Sequence, residues 1–243
     1  MLHKITLSLL SLIISLPVCS LELPADFVAE YRLMKMDTQI GKTTIQLASQ
    51  QGQINYTSST EPMGIIALVM RDTIEEKSLI QHNVKDAQPR LKHYSFYKSK
   101  NHEKNQDITI TWHDNQAADI SASYKHKTHQ LNHLGPLWDR NSMQLGLMSA
   151  LKSDFSITRL NYNVVDKGSI NEYQYRHIAD ESRSIDKIKY DTVKFSLKRP
   201  DSDRVTYLWL APELDYLPVY IEQYKGKELN LSMQLVNYKN TTL

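Results

Sequence analysis

Cysteine is almost absent from this 243-residue chain, with Cys19 the single example. It ends a stretch in which His3 and Lys4 lead into an apolar run from Ile5 to Leu16 and then Pro17-Val18-Cys19-Ser20. That order of basic, apolar and small residues is that of a cleaved secretory signal, so residues 1–20 are expected to be removed on export to the periplasm. A lipoprotein signal would carry Gly or Ala directly before its cysteine. Val18 occupies that place, which favours cutting after Ser20 over lipid attachment at Cys19. The mature chain, residues 21–243, is then without thiols, and disulfide or thiol chemistry is excluded.

Other scarcities exclude further classes. Seven glycines are too few for phosphate-cradling loops, and neither a P-loop nor a G-x-G-x-x-G occurs, which argues against nucleotide chemistry and leaves no cofactor motif. No apolar run approaches the roughly 20 residues of a spanning helix, so no stable membrane anchor is expected. Charge of one sign is also lacking. Without Lys4, 28 basic residues face 27 acidic ones, which offers no electrostatic footprint for nucleic acid. The G-x-S-x-G elbow and H-E-x-x-H are missing too, and no catalytic residue is assigned.

What is present is period-two alternation. Phe27, Ala29, Tyr31 and Leu33 share one face of a strand, and Leu229, Leu231, Met233 and Leu235 share one face of another. Further strands are expected near 40–49, 53–60, 72–82, 90–98, 106–113, 117–125, 158–166, 171–179, 188–198, 203–211 and 216–224. Turn pairs such as Gln51-Gly52 and Lys167-Gly168 join them. The expected fold is all-β with two short helices, one domain over 21–243 built on a single large curved antiparallel sheet, a half-barrel or incomplete barrel. Val205, Tyr207 and Trp209 alternate with Leu208 and Leu210, so this strand should be covered on both faces.

Two segments break the alternation. Pro62 to Met70 is uncharged and reads as a short buried helix or plug, and Met143, Leu147, Met148 and Leu151 are spaced for an amphipathic helix with Asp139 or Asn141 as its cap. Met63, Ile65, Ile66, Leu68, Val69, Met143, Leu147, Met148 and Trp209 are the candidate residues to line or close a hydrophobic cavity, against the alternative that they only complete a core. His126, His129 and His133 have helical spacing for a metal, but Lys125 and Lys127 would repel a cation and the local pattern is that of a strand end or polar connector, so no metal site is assigned. Glu75-Glu76 point to opposite faces of a strand, and Glu213 and Asp215 belong to a turn; both pairs read as structural.

The run from Thr206 to Glu222 resembles the closing hairpin of the exported bacterial domain-of-unknown-function family 3108. Similarity extends to Ala29-Glu30-Tyr31 with Gly41, Thr60 to Gly64 with Arg71-Asp72, Asp139 with Ser142, and Val164 to Gly168, whereas 102–133 matches poorly. The resemblance implies an envelope protein and supplies no catalytic residues. The pattern is also similar, as a fold, to the half-barrels of lipoprotein carriers such as LolA and LolB. Three functions follow in order: a non-catalytic periplasmic protein holding a lipid or acyl chain in its curved sheet; an envelope adaptor that binds another protein through a sheet edge or apolar patch; and a hydrolase assembled from dispersed residues, for which nothing in the sequence calls.

Overall fold

The structure, a computed structural model, describes residues 22–64, 67, 72–82, 89–113 and 116–242. Fifteen strands form one sheet. They are β1 (Phe27–Lys35), β2 (Thr38–Gln50), β3 (Gln53–Pro62), β4 (Ile74–Gln81), β5 (Arg90–Lys98), β6 (Gln106–Trp112), β7 (Ala117–Tyr124), β8 (Lys127–Leu134), β9 (Trp138–Asp139), β10 (Arg159–Asp166), β11 (Ser169–Ile185), β12 (Ile188–Lys198), β13 (Arg204–Ala211), β14 (Leu217–Lys225) and β15 (Glu228–Asn240). The order runs β8 to β1, then β15 to β9, so β1 pairs with β15 and two meanders meet at the chain ends. All pairings are antiparallel except β9 with β10, and β8 and β9 are the two edges. The sheet is curled and open, as the alternation implied.

Tight two-residue turns enforce the meander. Met36-Asp37, Gln51-Gly52, Lys125-His126 and Lys167-Gly168 all have positive φ at both positions, the geometry that follows the twist of paired strands. At Gly168 an added Cβ would strike the imidazole of His129 on β8, so any side chain there would force that ring to move. That contact helps to bring the sheet's two ends together. Beside it, buried Gln106 donates from Nε2 to Asp166 Oδ1 at 3.0 Å and accepts the Lys167 backbone N–H at 2.7 Å.

The helix α1 (Met143–Ser153) lies between the two meanders rather than on one of them. Leu147 and Leu151, one turn apart, pack against Tyr175, Phe195, Leu208 and Leu210. Met143, Leu145 and Met148 belong instead to the larger core with Phe27, Tyr31, Leu47, Ile54, Ile80, Ile108 and Trp138. The amphipathic expectation is thereby corrected: all residues from Leu145 to Leu151 are buried, because a helix enclosed on both sides is apolar all round. Gly146 permits the closest approach, since a Cβ there would lie 3.0 Å from the Trp138 ring. Inward side chains and α1 share one large buried cluster, and among the described residues no helix is long and apolar enough to cross a membrane.

Two further departures concern strands. The stretch expected as a polar connector is strand β8, paired with β7 without a register break from Ala117↔Leu134 to Tyr124↔Lys127. Strand β11 has 17 residues, not the nine of 171–179, and its pairing with β12 continues to Ile185↔Ile188 although β12 leaves β13 at Val193. The excess is a two-stranded arm that crosses the face of β13 away from α1, where Asp186 meets Arg32 of β1 at 2.6 Å and Arg183 meets Glu222 of β14 at 3.7 Å.

Candidate functional site

Where α1 ends, the chain must turn without a glycine. Asp154 does this: its N–H donates to Ala150 O at 2.8 Å, and its carboxylate accepts the Ser156 N–H at 2.9 Å and the Ser156 hydroxyl at 2.6 Å. The turn leaves Phe155 84% exposed, one of the most exposed large apolar side chains described. Below it, Leu151, Ile157, Val193, Phe195, Pro212 and Tyr216 line an open cleft of about 450 Å³. His177 and Asp180 also border the cleft, with His177 Nε2 2.7 Å from Asp180 Oδ1 and the imidazole edge-on to Phe195 at 5.4 Å. Ser156 and Thr158 line it as well, so the open groove mixes an apolar floor with several polar groups, as small-molecule sites do.

A second constellation lies inside the curled sheet. Asp139, fully buried, accepts hydrogen bonds from the backbone N–H groups of Asn141 (2.7 Å) and Ser142 (2.8 Å) and from the hydroxyls of Ser142 (2.8 Å) and Ser78 (2.9 Å). Asn141 donates to Tyr56 O and Ser78 Oγ, and Gln144 donates to the Tyr56 hydroxyl. Burial pushes the Asp139 carboxyl up to about 6, its four hydrogen bonds offsetting only part of the lost hydration. Beside it Glu76 holds Arg140 at 3.0 Å and accepts from the Tyr94 hydroxyl at 2.6 Å. These bonds tie β4 to β9 and to the start of α1. The cap expected at Asp139 or Asn141 falls instead on Ser142, with Met143 the first helical residue; Asp139 holds the turn before it through the Asn141 and Ser142 N–H groups.

The sequence candidates separate in space. Leu147 lies in the cluster with Leu151 and Phe195, which line the groove, whereas Met143 and Met148 face the larger core, buried away from it. Trp209 belongs to the larger core with Met143 and Met148, whereas its neighbours Leu208 and Leu210 join Leu147 and Phe195. It is covered by the arm, its indole N–H donating to Glu181 and its ring lying 4.4 Å from the Arg183 guanidinium and 4.3 Å from Lys194 Nζ. The expectation of cover on both faces of β13 therefore holds, with cations as the outer layer. Met63 is 42% exposed, its sulfur 3.4 Å from Gln39 Nε2. Ile65, Ile66, Leu68 and Val69 lie outside the described residues, and of the helix expected over 63–70 only Met63, Gly64 and Ala67 are described.

Phe155, Ile157, Val193 and the His177–Asp180 pair were not singled out from the sequence. Only the isolated Phe155 in the polar run Ser153-Asp154-Phe155-Ser156 offered a signal. The histidines are dispersed: His113 meets Asp119 at 2.5 Å, His133 meets Pro136 O at 3.3 Å, and His129 abuts Gly168. Among the described residues no three His, Cys, Asp or Glu side chains converge as metal ligands. Asp215, with φ of 53°, accepts the Ala25 N–H at 2.9 Å and meets Lys152 at 2.9 Å, a structural clamp between the chain's start and α1.

A comparison with curated proteins finds no match. Among solved structures, a β-barrel-like protein of the domain-of-unknown-function family 1849 from Brucella abortus aligns over 89% of this chain and 98% of its own, with a TM-score of 0.56 and 10% identity, a likeness of fold alone. An exported protein with a YmcC-like fold from Bacteroides fragilis aligns over 91% and 100% with a TM-score of 0.38 and 10% identity. The model of the protein family of unknown function DUF3108 matches residues 27–227, nearly the whole strand array, and the chain belongs to that family.

Proposed function

We propose that this is a non-catalytic protein of the periplasm that binds a hydrophobic ligand, a lipid or acyl chain, in the groove at the end of α1. The observation that carries this is the cleft of about 450 Å³ beside the exposed Phe155, whose apolar floor of Leu151, Ile157, Val193 and Phe195 is bordered by His177 and Asp180, available to a polar head. Its size falls within the several hundred Å³ typical of small-ligand sites.

The test is titration of the mature protein with a dansyl-labelled medium-chain fatty acid, followed by native mass spectrometry of protein recovered from its own periplasm. Saturable binding is expected, weakened about tenfold or more by Phe155→Asp, a change at an exposed position that places a charge against the chain. Binding that is absent, or indifferent to Phe155→Asp, refutes the groove. A stoichiometric protein partner in the native spectrum in place of lipid would turn the assignment to an envelope adaptor.

A further inference from the structure

Strand β8 is an eight-residue edge without the usual protections. It contains no proline, its register with β7 is unbroken, and no residue of a third strand pairs with it. The two-residue turn makes Tyr124 and Lys127 a mutually hydrogen-bonded pair, and the Gly135 N–H bond to Gln116 O at 2.8 Å has the same phase. Lys127, His129, Leu131 and His133 therefore spend their backbone groups on β7. Thr128, Gln130, Asn132 and Leu134 direct theirs outward, and among the described residues no hydrogen bond reaches them. Natural sheets blunt such edges with charges, proline or bulges, and here Lys127 is the only charged residue of the strand.

The hairpin end of this edge is cationic. From Ile120 to Trp138 there is no Asp or Glu, while Lys125, Lys127 and three histidines are present. The nearest acid on the facing strand, Asp119, is taken by His113 at 2.5 Å and Asn132 at 2.5 Å. At the far end, Leu134 is 74% exposed over an open cleft of about 540 Å³ that it shares with Ala117, Ala118, Asp119, Asn132 and His133. The edge thus offers main-chain pairing along its length, cations at the hairpin end and an apolar step at the other.

We infer that β8 receives an extended, acidic segment of another protein as an added strand, its carboxylates toward Lys125 and Lys127 and an apolar side chain against Leu134. Strand addition draws affinity from main-chain hydrogen bonds and specificity from alternate side chains, which is what this edge supplies. The inference is independent of the groove at α1: it uses the opposite edge of the chain's first meander, and either can fail alone.

The probe is a synthetic peptide of alternating Val and Glu, with its Val–Lys counterpart as control, titrated against the mature protein by fluorescence anisotropy and by amide hydrogen exchange. Binding of the acidic peptide is expected to protect the amides of Thr128, Gln130 and Asn132. Gln130→Pro removes an outward N–H without touching the β7 ladder, so the fold should persist, as its unchanged melting transition would verify, while affinity drops about tenfold or more. Lys125→Glu with Lys127→Glu should weaken it comparably. Equal binding of both peptides, or affinity unmoved by Gln130→Pro, overturns the inference. So does either of two other outcomes: concentration-dependent dimers abolished by Gln130→Pro, which would make a second copy the occupant, or binding to anionic vesicles that Gln130→Pro leaves intact, which would make it a lipid surface.

Discussion

Asp139 is the group whose chemistry most clearly depends on the completed fold, and its removal gives a sharp test. In the unfolded chain its carboxyl titrates near 3.8; in the folded one burial raises this to about 6. The folded state thus holds the proton more tightly, and the stabilisation this brings is complete below the unfolded value and is lost as pH rises through about 6. With each pH unit worth about 1.4 kcal/mol, the whole effect is about 3 kcal/mol, of which about 2 kcal/mol falls between about pH 4.5 and about pH 7.5. Asp139→Asn keeps a carbonyl to accept the Asn141 and Ser142 N–H groups, and it does not titrate. Urea unfolding followed by tryptophan fluorescence at those two pH values should therefore show wild type losing about 2 kcal/mol relative to the variant as pH rises. Using the difference cancels the opposing trend of Glu30, Asp72, Asp119 and Glu181, whose partners lower their carboxyls and whose contributions fade as pH falls. A difference independent of pH, or one that favours wild type at the higher pH, would mean that the four hydrogen bonds outweigh burial and would refute the reasoning.

The Lys125-His126 turn places two side chains at positive φ where Asn-Gly is preferred, so His126→Gly should raise stability by about 0.5–1 kcal/mol, read as a higher urea midpoint at unchanged slope. Arg183 covers both Trp209 and Tyr220, at 4.4 and 3.7 Å, and Arg183→Ala should cost about 1–2 kcal/mol and shift tryptophan emission to the red as the arm loosens over Trp209. An unshifted spectrum would mean that the arm does not depend on that stacking.

Local rules determined much of this protein. The strands read from period-two alternation reappear within a few residues of their places, because alternation of Phe27, Ala29 and Tyr31 or of Leu231 and Met233 is a property of the strand itself. The turn pairs were legible for the same reason. Only the tertiary structure decided which apolar side chains meet. Leu147 and Met148 are adjacent, yet one faces Phe195 near the groove and the other the larger core, a division made by the second meander closing over α1. Trp209 reads as a lining residue until the arm, formed by the excess length of β11, is found to cover its other face. The His177–Asp180 pair and the Asp139 box, whose Ser78 lies 61 residues away in the chain, unite groups that no spacing connects. Periodicity states that a residue needs cover, but what covers it is settled by contacts distant in sequence, and in this chain the candidate groove and the buried carboxylate are both of that kind.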